Sequence, residues 1–229
     1  MARLAVSDIM NMVSSTVNQS NTGPTAGGTE WTLWLSFINK AVYDWATTHD
    51  WEDLRQTNKP AITSLTQASV GLPQNFSKLA GNPKHWGTGI TGGESWPIII
   101  PEEVSLYNTT EKWAYVSGDI SAGFYLTWNP GTLASGASLS IPYYSTPTSL
   151  ASPAQIPIIP DSLYLVERTI GYIFESRSDA RFQEMEAKSR ERLLTMIEAN
   201  DAAKYDAHSQ TKTPVRNTLR LQSFRVGRD

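Results

Sequence analysis

Between Thr29 and Thr48 apolar residues recur at the three-and-four spacing of a helix, with Trp31, Trp34, Leu35, Ile38, Val42 and Trp45 on one face and Asn39, Lys40, Asp44 and Thr48 on the other. The pattern predicts a helix that starts at Gly28 or Thr29, runs down around His49 and buries its tryptophan stripe, with Trp51 pinning the exit. Ahead of it, Ile9, Met10, Val13 and Val17 mark a shorter helix capped by Ser7. The polar stretch Asn18 to Gly28 reads as an exposed loop between the two.

After Thr57 the helical period is lost. Residues 57–79 predict two short strands, or a strand and a turn, with the Leu72-Pro73-Gln74-Asn75-Phe76 step among them. The next stretch, AGNPKHWGTGITGGESWP, is a loop by composition. Within it Gly87, Gly89 and Gly92 fit the G-x-G-x-x-G spacing of a dinucleotide turn, but that turn needs a strand before it and a helix after it. Pro83 and Trp96-Pro97 stand where those elements belong, so the loop reading holds. Ile98-Ile99-Ile100 then predicts a buried strand, with a turn at Pro101-Glu102-Glu103.

Three further β signals follow, Lys112 to Val116, Phe124 to Trp128 and Ala137 to Tyr144, separated by turn formers and therefore expected as a small antiparallel meander. Alternation groups Trp113 with Tyr115, and Phe124 with Leu126 and Trp128. Four prolines between Tyr144 and Pro160 force an extended crossing. Asp161 or Ser162 then caps a third helix with Leu163, Val166, Ile170, Ile173 and Phe174 inward. Beyond a break at Ser178-Asp179, a fourth helix is expected from about Ala180 to Tyr205. Its stripe is Phe182, Met185, Leu193, Met196 and Ile197, and Arg181, Glu184, Lys188, Glu191 and Arg192 are spaced for surface ion pairs.

These elements predict an α+β chain built mainly as a helical bundle. Residues 1–56 and 161–210 supply one helix pair each, 57–160 form an inserted antiparallel β-rich region, and 211–229 an extended tail.

Composition narrows the function. With 40% hydrophobic residues the chain can bury a proper core, and with no cysteine it can form neither disulfides nor thiolate sites. Neither a signal-peptide core nor a membrane-length apolar run occurs, so a soluble protein with an intracellular or intravirion life is expected. The net charge of −3 is unevenly spread. Lys212, Arg216, Arg220, Arg225 and Arg228 against the single acid Asp229 give the tail +4, which leaves −7 for the rest.

Catalytic chemistry finds no foothold. His49, His85 and His208 lie in unrelated segments without metal-ligand spacing, and neither G-x-S-x-G nor a P-loop is present. Glu52-Asp53 and Glu102-Glu103 are neighbours in sequence, which does not make them converge on a substrate. No enzyme and no cofactor is expected. Aromatics on the strands read as core. A carbohydrate- or host-surface-binding module would instead use Trp86, Trp96, Trp113 and Trp128 as stacking platforms.

The order of the motifs FINKAVYDWATTHDWEDLRQ, VGLPQNF, SIPYYSTPTSL, IPIIPDSLYLVERTIGYIFE and EMEAKSRERLLTMIEAND, spanning Phe37 to Asp201, resembles the phage head-to-tail adaptor (connector) proteins. The chain departs from their pattern in the Gly-rich loop Trp86 to Trp96 and in its long basic tail. The resemblance implies a non-enzymatic virion protein at the head-to-tail interface. It also implies a homo-oligomeric ring, commonly dodecameric, between the portal protein and a tail or nozzle protein, with genomic DNA passing through unread. A tail-tube or tail-terminator ring component is the neighbouring alternative.

An acidic body suits such a conduit, since a basic wall would hold phosphates, although −7 is also ordinary surface charge. In the tail, Leu219-Arg220-Leu221-Gln222 has strand alternation, and an extended peptide of this kind can add to a sheet edge or lie in a partner's groove. The resemblance implies that it reaches between portal subunits. Leu221 and Phe224 would anchor there, with Leu219 in the same portal-binding tail and Arg216, Arg220, Arg225 and Arg228 pairing with portal carboxylates. Trp31, Trp34, Ile38, Val42 and Trp45 are expected as core.

Overall fold

Nine of the fifteen residues of the helix Ser162–Ser176 are buried, from Tyr164 and Leu165 through Ile173 and Phe174, so that helix has no free face of its own. It is α3, and the helices α1 (Val6–Val17), α2 (Thr29–Thr48) and α4 (Phe182–Thr211) all pack against it. The computed structural model describes residues 3–64, 66–90, 93–108, 110–129, 132–133 and 137–211, with side chains through Lys204. The fold is α+β with antiparallel sheets. Its hub is α3 rather than the tryptophan-rich α2, because α2 keeps one solvent face whereas α3 is wrapped by three helices.

Trp31, Trp34, Ile38, Val42 and Trp45 of α2 are buried together with Ile9, Met10 and Val13 of α1 and most of α3. Each such side chain contributes about 1.5–3 kcal/mol on burial. Among the described residues of α4, Met196 is buried in this core, with Phe182, Met185, Leu193 and Ile197 packed at its edge. The long helix therefore lies on the outside of the bundle.

The start of the first helix differs from the expected one for a local reason. α1 begins at Val6 with Ala5 at its cap position, and Ser7 lies inside the first turn. The free N–H groups of Val6 and Ser7 donate instead to the carbonyls of Gln155 (2.9 Å) and Pro153 (3.0 Å), so the crossing segment caps this helix. Asp161 caps α3 by accepting from the Leu163 N–H at 2.9 Å. α4 starts at Phe182 and continues past Tyr205 to Thr211.

Between the helix pairs lie two sheets. One has β1 (Arg55–Asn58), β8 (Ser138–Ser145), β4 (Lys84–Trp86) and β5 (Glu94–Ser95) in that order, with β3 (Phe76–Leu79) also paired to β8. The other has β2 (Ser69–Gly71), β7 (Gly123–Trp128) and β6 (Ala114–Asp119). The expected three-strand meander is thus corrected. β6 and β7 form a hairpin, but β8 leaves for the other sheet, where β1, β3 and β4 satisfy its edges. Trp96, Leu126, Trp128, Leu139 and Ile141 from the two sheets make a second core.

β8 carries Pro142 in its middle. The Pro142 carbonyl accepts from Ala80 at 2.9 Å, so the side of the strand that lacks an N–H faces the gap where β3 ends and β4 has not begun. The expected strand Ile98–Ile100 is also corrected. Only Ile99 is buried, through a single parallel bridge of Ile98 to Ala114, and Ile98 and Ile100 face solvent. The crossing segment is fixed to α2 by Asn39, which donates to the Leu150 carbonyl (3.0 Å) and accepts from the Leu150 N–H (2.7 Å).

Candidate assembly interface

Helix α3 meets its neighbours through two clusters of charge. On one side Arg192 of α4 reaches back across the helix pair to Glu167 (2.7 Å) and to the capping residue Asp161 (3.1 Å). On the other, Arg168 lies 3.3 Å from Asp44 of α2 and 3.9 Å from Glu186 of α4, and Glu186 also pairs with Arg190 at 3.6 Å. The Tyr172 hydroxyl donates to the Asp44 carboxylate and accepts from Arg168 at 3.0 Å. Lys40 stands over the Tyr172 ring, 4.0 Å from its centroid.

A polar cleft of about 390 Å³ opens between these helices, lined by Asp44, Tyr164, Arg168, Glu186 and Arg190 among others. Burial pushes the Tyr164 phenol up to about 12. Burial, and then the hydrogen bond to Asp44, raise Tyr172 as well. Both shifts move these groups away from the range where a general acid or base works near neutral pH. Each charge named in the cleft is matched by another, so the arrangement holds three helices in register.

The far half of α4 is tied to the exit of α2. Asn200 donates to the Asp50 carbonyl (3.1 Å) and accepts from the Glu52 N–H (2.9 Å). Asp201 lies 2.8 Å from His49, and Lys204 donates to the Asp50 carbonyl. Asp50 is also paired at 2.5 Å with Lys78 of β3. Bundle, sheet and α4 therefore meet at one point a few turns before the basic tail. Arg216, Leu219, Arg220, Leu221, Phe224, Arg225 and Arg228 all lie outside the described residues.

The four tryptophans considered as sugar platforms are not available as a set. Trp96, Trp113 and Trp128 are buried, and half-buried Trp86 packs against Gly93. A Cβ at Gly93, whose φ is +77°, would come within 2.4 Å of the Trp86 ring. In the Gly-rich loop, Gly93 is the glycine the packing demands, and it is not among those of the dinucleotide spacing, of which Gly92 lies outside the described residues. His85, fully buried beside Trp96, has its basicity lowered by burial.

Among the described residues no group of three His, Asp or Glu side chains is placed to hold a metal ion, and no helix is long and apolar enough to cross a membrane. What the surface does offer is exposed apolar side chains on fixed backbone. Leu194 stands out from α4, Ile120 from the β6–β7 turn, and Ile98, Ile100, Leu106 and Tyr107 from one short stretch. Sequence reasoning missed that stretch because three isoleucines before a proline look like a buried strand. Its signal was the immediate Pro-Glu-Glu, which stops a strand from continuing inward.

No curated protein matches the chain at a significant level. The model of the SU10 adaptor protein family matches residues 5–217, which include all four helices and both sheets. A bundle with an intervening pair of antiparallel sheets and a match over nearly the whole sequence lead to one statement: the chain belongs to the SU10 adaptor protein family, the phage head-to-tail adaptors.

Proposed function

We propose that this protein closes into a dodecameric ring beneath the portal, continues the DNA channel, and presents its opposite face to a tail or nozzle protein. The observation that carries the reading is the family match over residues 5–217. The surface agrees with it: ion-paired helices with single exposed apolar residues such as Leu194 suit repeated lateral contacts between copies better than a substrate. A ring of identical copies is built from heterologous contacts, in which two different faces of each copy meet. The working site of the protein is then the assembly itself, and the protein is structural and not catalytic.

In this reading the basic tail is the portal-binding element. Leu219, Leu221 and Phe224 fill pockets between portal subunits, and Arg216, Arg220, Arg225 and Arg228 pair with portal carboxylates. DNA passes without base readout, since the body is net acidic. The test is mass photometry and negative-stain imaging of the protein with and without its portal. A ring stacked coaxially on the portal is expected. A ring that forms but never stacks points to a tail-terminator component, and absence of co-assembly at every salt concentration overturns the reading.

A further inference from the structure

The segment Ile98–Tyr107 presents an apolar ridge on a fixed base. Ile98, Ile100, Leu106 and Tyr107 are 39%, 57%, 79% and 36% exposed, and the 3-10 turn Pro101–Leu106 buries none of its residues. The backbone beneath is well held. The Ile99 N–H donates to the Ala114 carbonyl at 2.9 Å and Ala114 donates to the Pro97 carbonyl at 3.0 Å. Asn129 clamps the far end through the carbonyls of Asn108 (3.2 Å) and Glu111 (2.7 Å). Glu102 and Glu103 rise from the same turn and form no ion pair among the described residues. An exposed apolar surface carrying unmatched carboxylates fits an extended segment with the opposite pattern, apolar and basic residues interleaved.

We infer that the ridge is the seat of the chain's own tail, residues 212–229, when no portal is present. The tail places Leu219, Leu221, Phe224 and Val226 among five basic residues, with a single acid at Asp229. That is the charge and apolar complement of Ile100, Leu106, Glu102 and Glu103. Extended at about 3.3 Å per residue, it spans about 60 Å, longer than the roughly 45 Å across a compact chain of this length. Covering the ridge would shield both apolar surfaces from non-specific association before assembly. The portal reading shares the tail with this inference, but the inference is tested without a portal, so either can fail alone.

The chain has no cysteine, so Leu106→Cys combined with Phe224→Cys gives the full-length protein two unique thiols. Mild oxidation should join them, because a disulfide forms only where the two Cβ atoms can meet. The product runs as one chain or as two according to whether the tail folds back or reaches a neighbour, and both support the inference. The comparison is Ile120→Cys with Phe224→Cys, since Ile120 is 94% exposed at the β6–β7 turn and accessible without the ridge's character. Adding Glu102→Lys and Glu103→Lys to the first pair should reduce the cross-link roughly ten-fold. Equal yields at Leu106 and Ile120, no cross-link at Leu106, or a yield indifferent to the charge reversal would each overturn it.

Discussion

Trp51 stacks on Trp45 with ring centroids 4.7 Å apart and donates its indole N–H to the Trp45 backbone carbonyl at 2.7 Å. Trp45 lies in the last turn region of α2, where carbonyls have lost their helical donors, so the contact both buries two indoles and caps the helix end. Trp51→Ala should destabilise the protein by about 3–5 kcal/mol, as expected for a fully buried tryptophan. Trp51→Phe keeps part of the stack but orphans the carbonyl, and should cost about 1–2 kcal/mol beyond the lost area. Urea unfolding followed by circular dichroism separates the two, and equal stability of wild type and Trp51→Ala would remove this contact from the core account.

Stability at alkaline pH depends on Tyr164. Tyr164 keeps its proton up to about 12 in the folded chain because burial opposes the phenolate, whereas the unfolded chain releases it near 10. Between those values the unfolded state binds fewer protons than the folded one, so stability falls as pH rises, and below pH 10 this contribution is fully present. The slope from Tyr164 is at most about 1.4 kcal/mol per pH unit. Tyr164→Phe should flatten the decline measured between pH 10 and 11.5, while lysine titration common to both proteins cancels in the difference. Parallel curves for the two proteins would count against the burial of this hydroxyl.

Gly93 makes the third case. A methyl group there meets the Trp86 ring at 2.4 Å while the residue sits at φ +77°, a conformation that L side chains rarely adopt. Gly93→Ala should therefore cost about 1–3 kcal/mol and displace Trp86, seen as a shift in its fluorescence against a Trp86→Phe reference. Gly89→Ala serves as the comparison, because at φ +82° it carries backbone strain with open space around the Cβ position. Similar Trp86 spectra in both variants would mean that the close approach is not what Gly93 provides.

How much of the fold is legible in the sequence depends on what each element uses to declare itself. The stripes of α2 and α3 repeat at helical spacing and end at polar caps, so spacing alone assigns Trp34, Ile38, Val166 and Ile170 to their faces. β1 gives no such signal. Arg55-Gln56-Thr57-Asn58 has no apolar residue, and only its register with Tyr144 to Ile141 of β8 makes it a strand. The switch of β8 to the other sheet is hidden for a similar reason: turn formers after Trp128 announce a reversal but not which strand the chain pairs with next. The hub role of α3 is also out of reach, since a helix wrapped on three sides shows its stripe plus residues such as Tyr164 and Tyr172 whose polar ends find partners only in the fold. For the candidate site, the tail's basic and apolar alternation is visible at once. The ridge shows only in the Pro-Glu-Glu step that ends the isoleucine run, because the exposure of Ile98 and Ile100 follows from a single bridge at Ala114.

The last expectation separates folding from attachment. Both cores are assembled from residues no later than Ile197, and α4 is tied to the α2 exit by Asn200, Asp201 and Lys204, all upstream of the tail. Removing the residues after Lys212 should therefore leave the urea midpoint within the error of the wild type. If the tail is the portal-binding element, the same truncation abolishes attachment, measured as loss of portal co-sedimentation and of coaxial stacks in negative stain. Phe224→Ala should weaken attachment by roughly ten- to a hundred-fold, the range of an aromatic anchor at an interface centre. Arg220→Ala should weaken it less, and should weaken its salt dependence too, as expected for a charge at the rim. A truncated protein that still stacks on the portal and completes infectious particles would move the attachment site off the tail and onto the body, with the exposed face of α4 around Leu194 as the next surface to mutate.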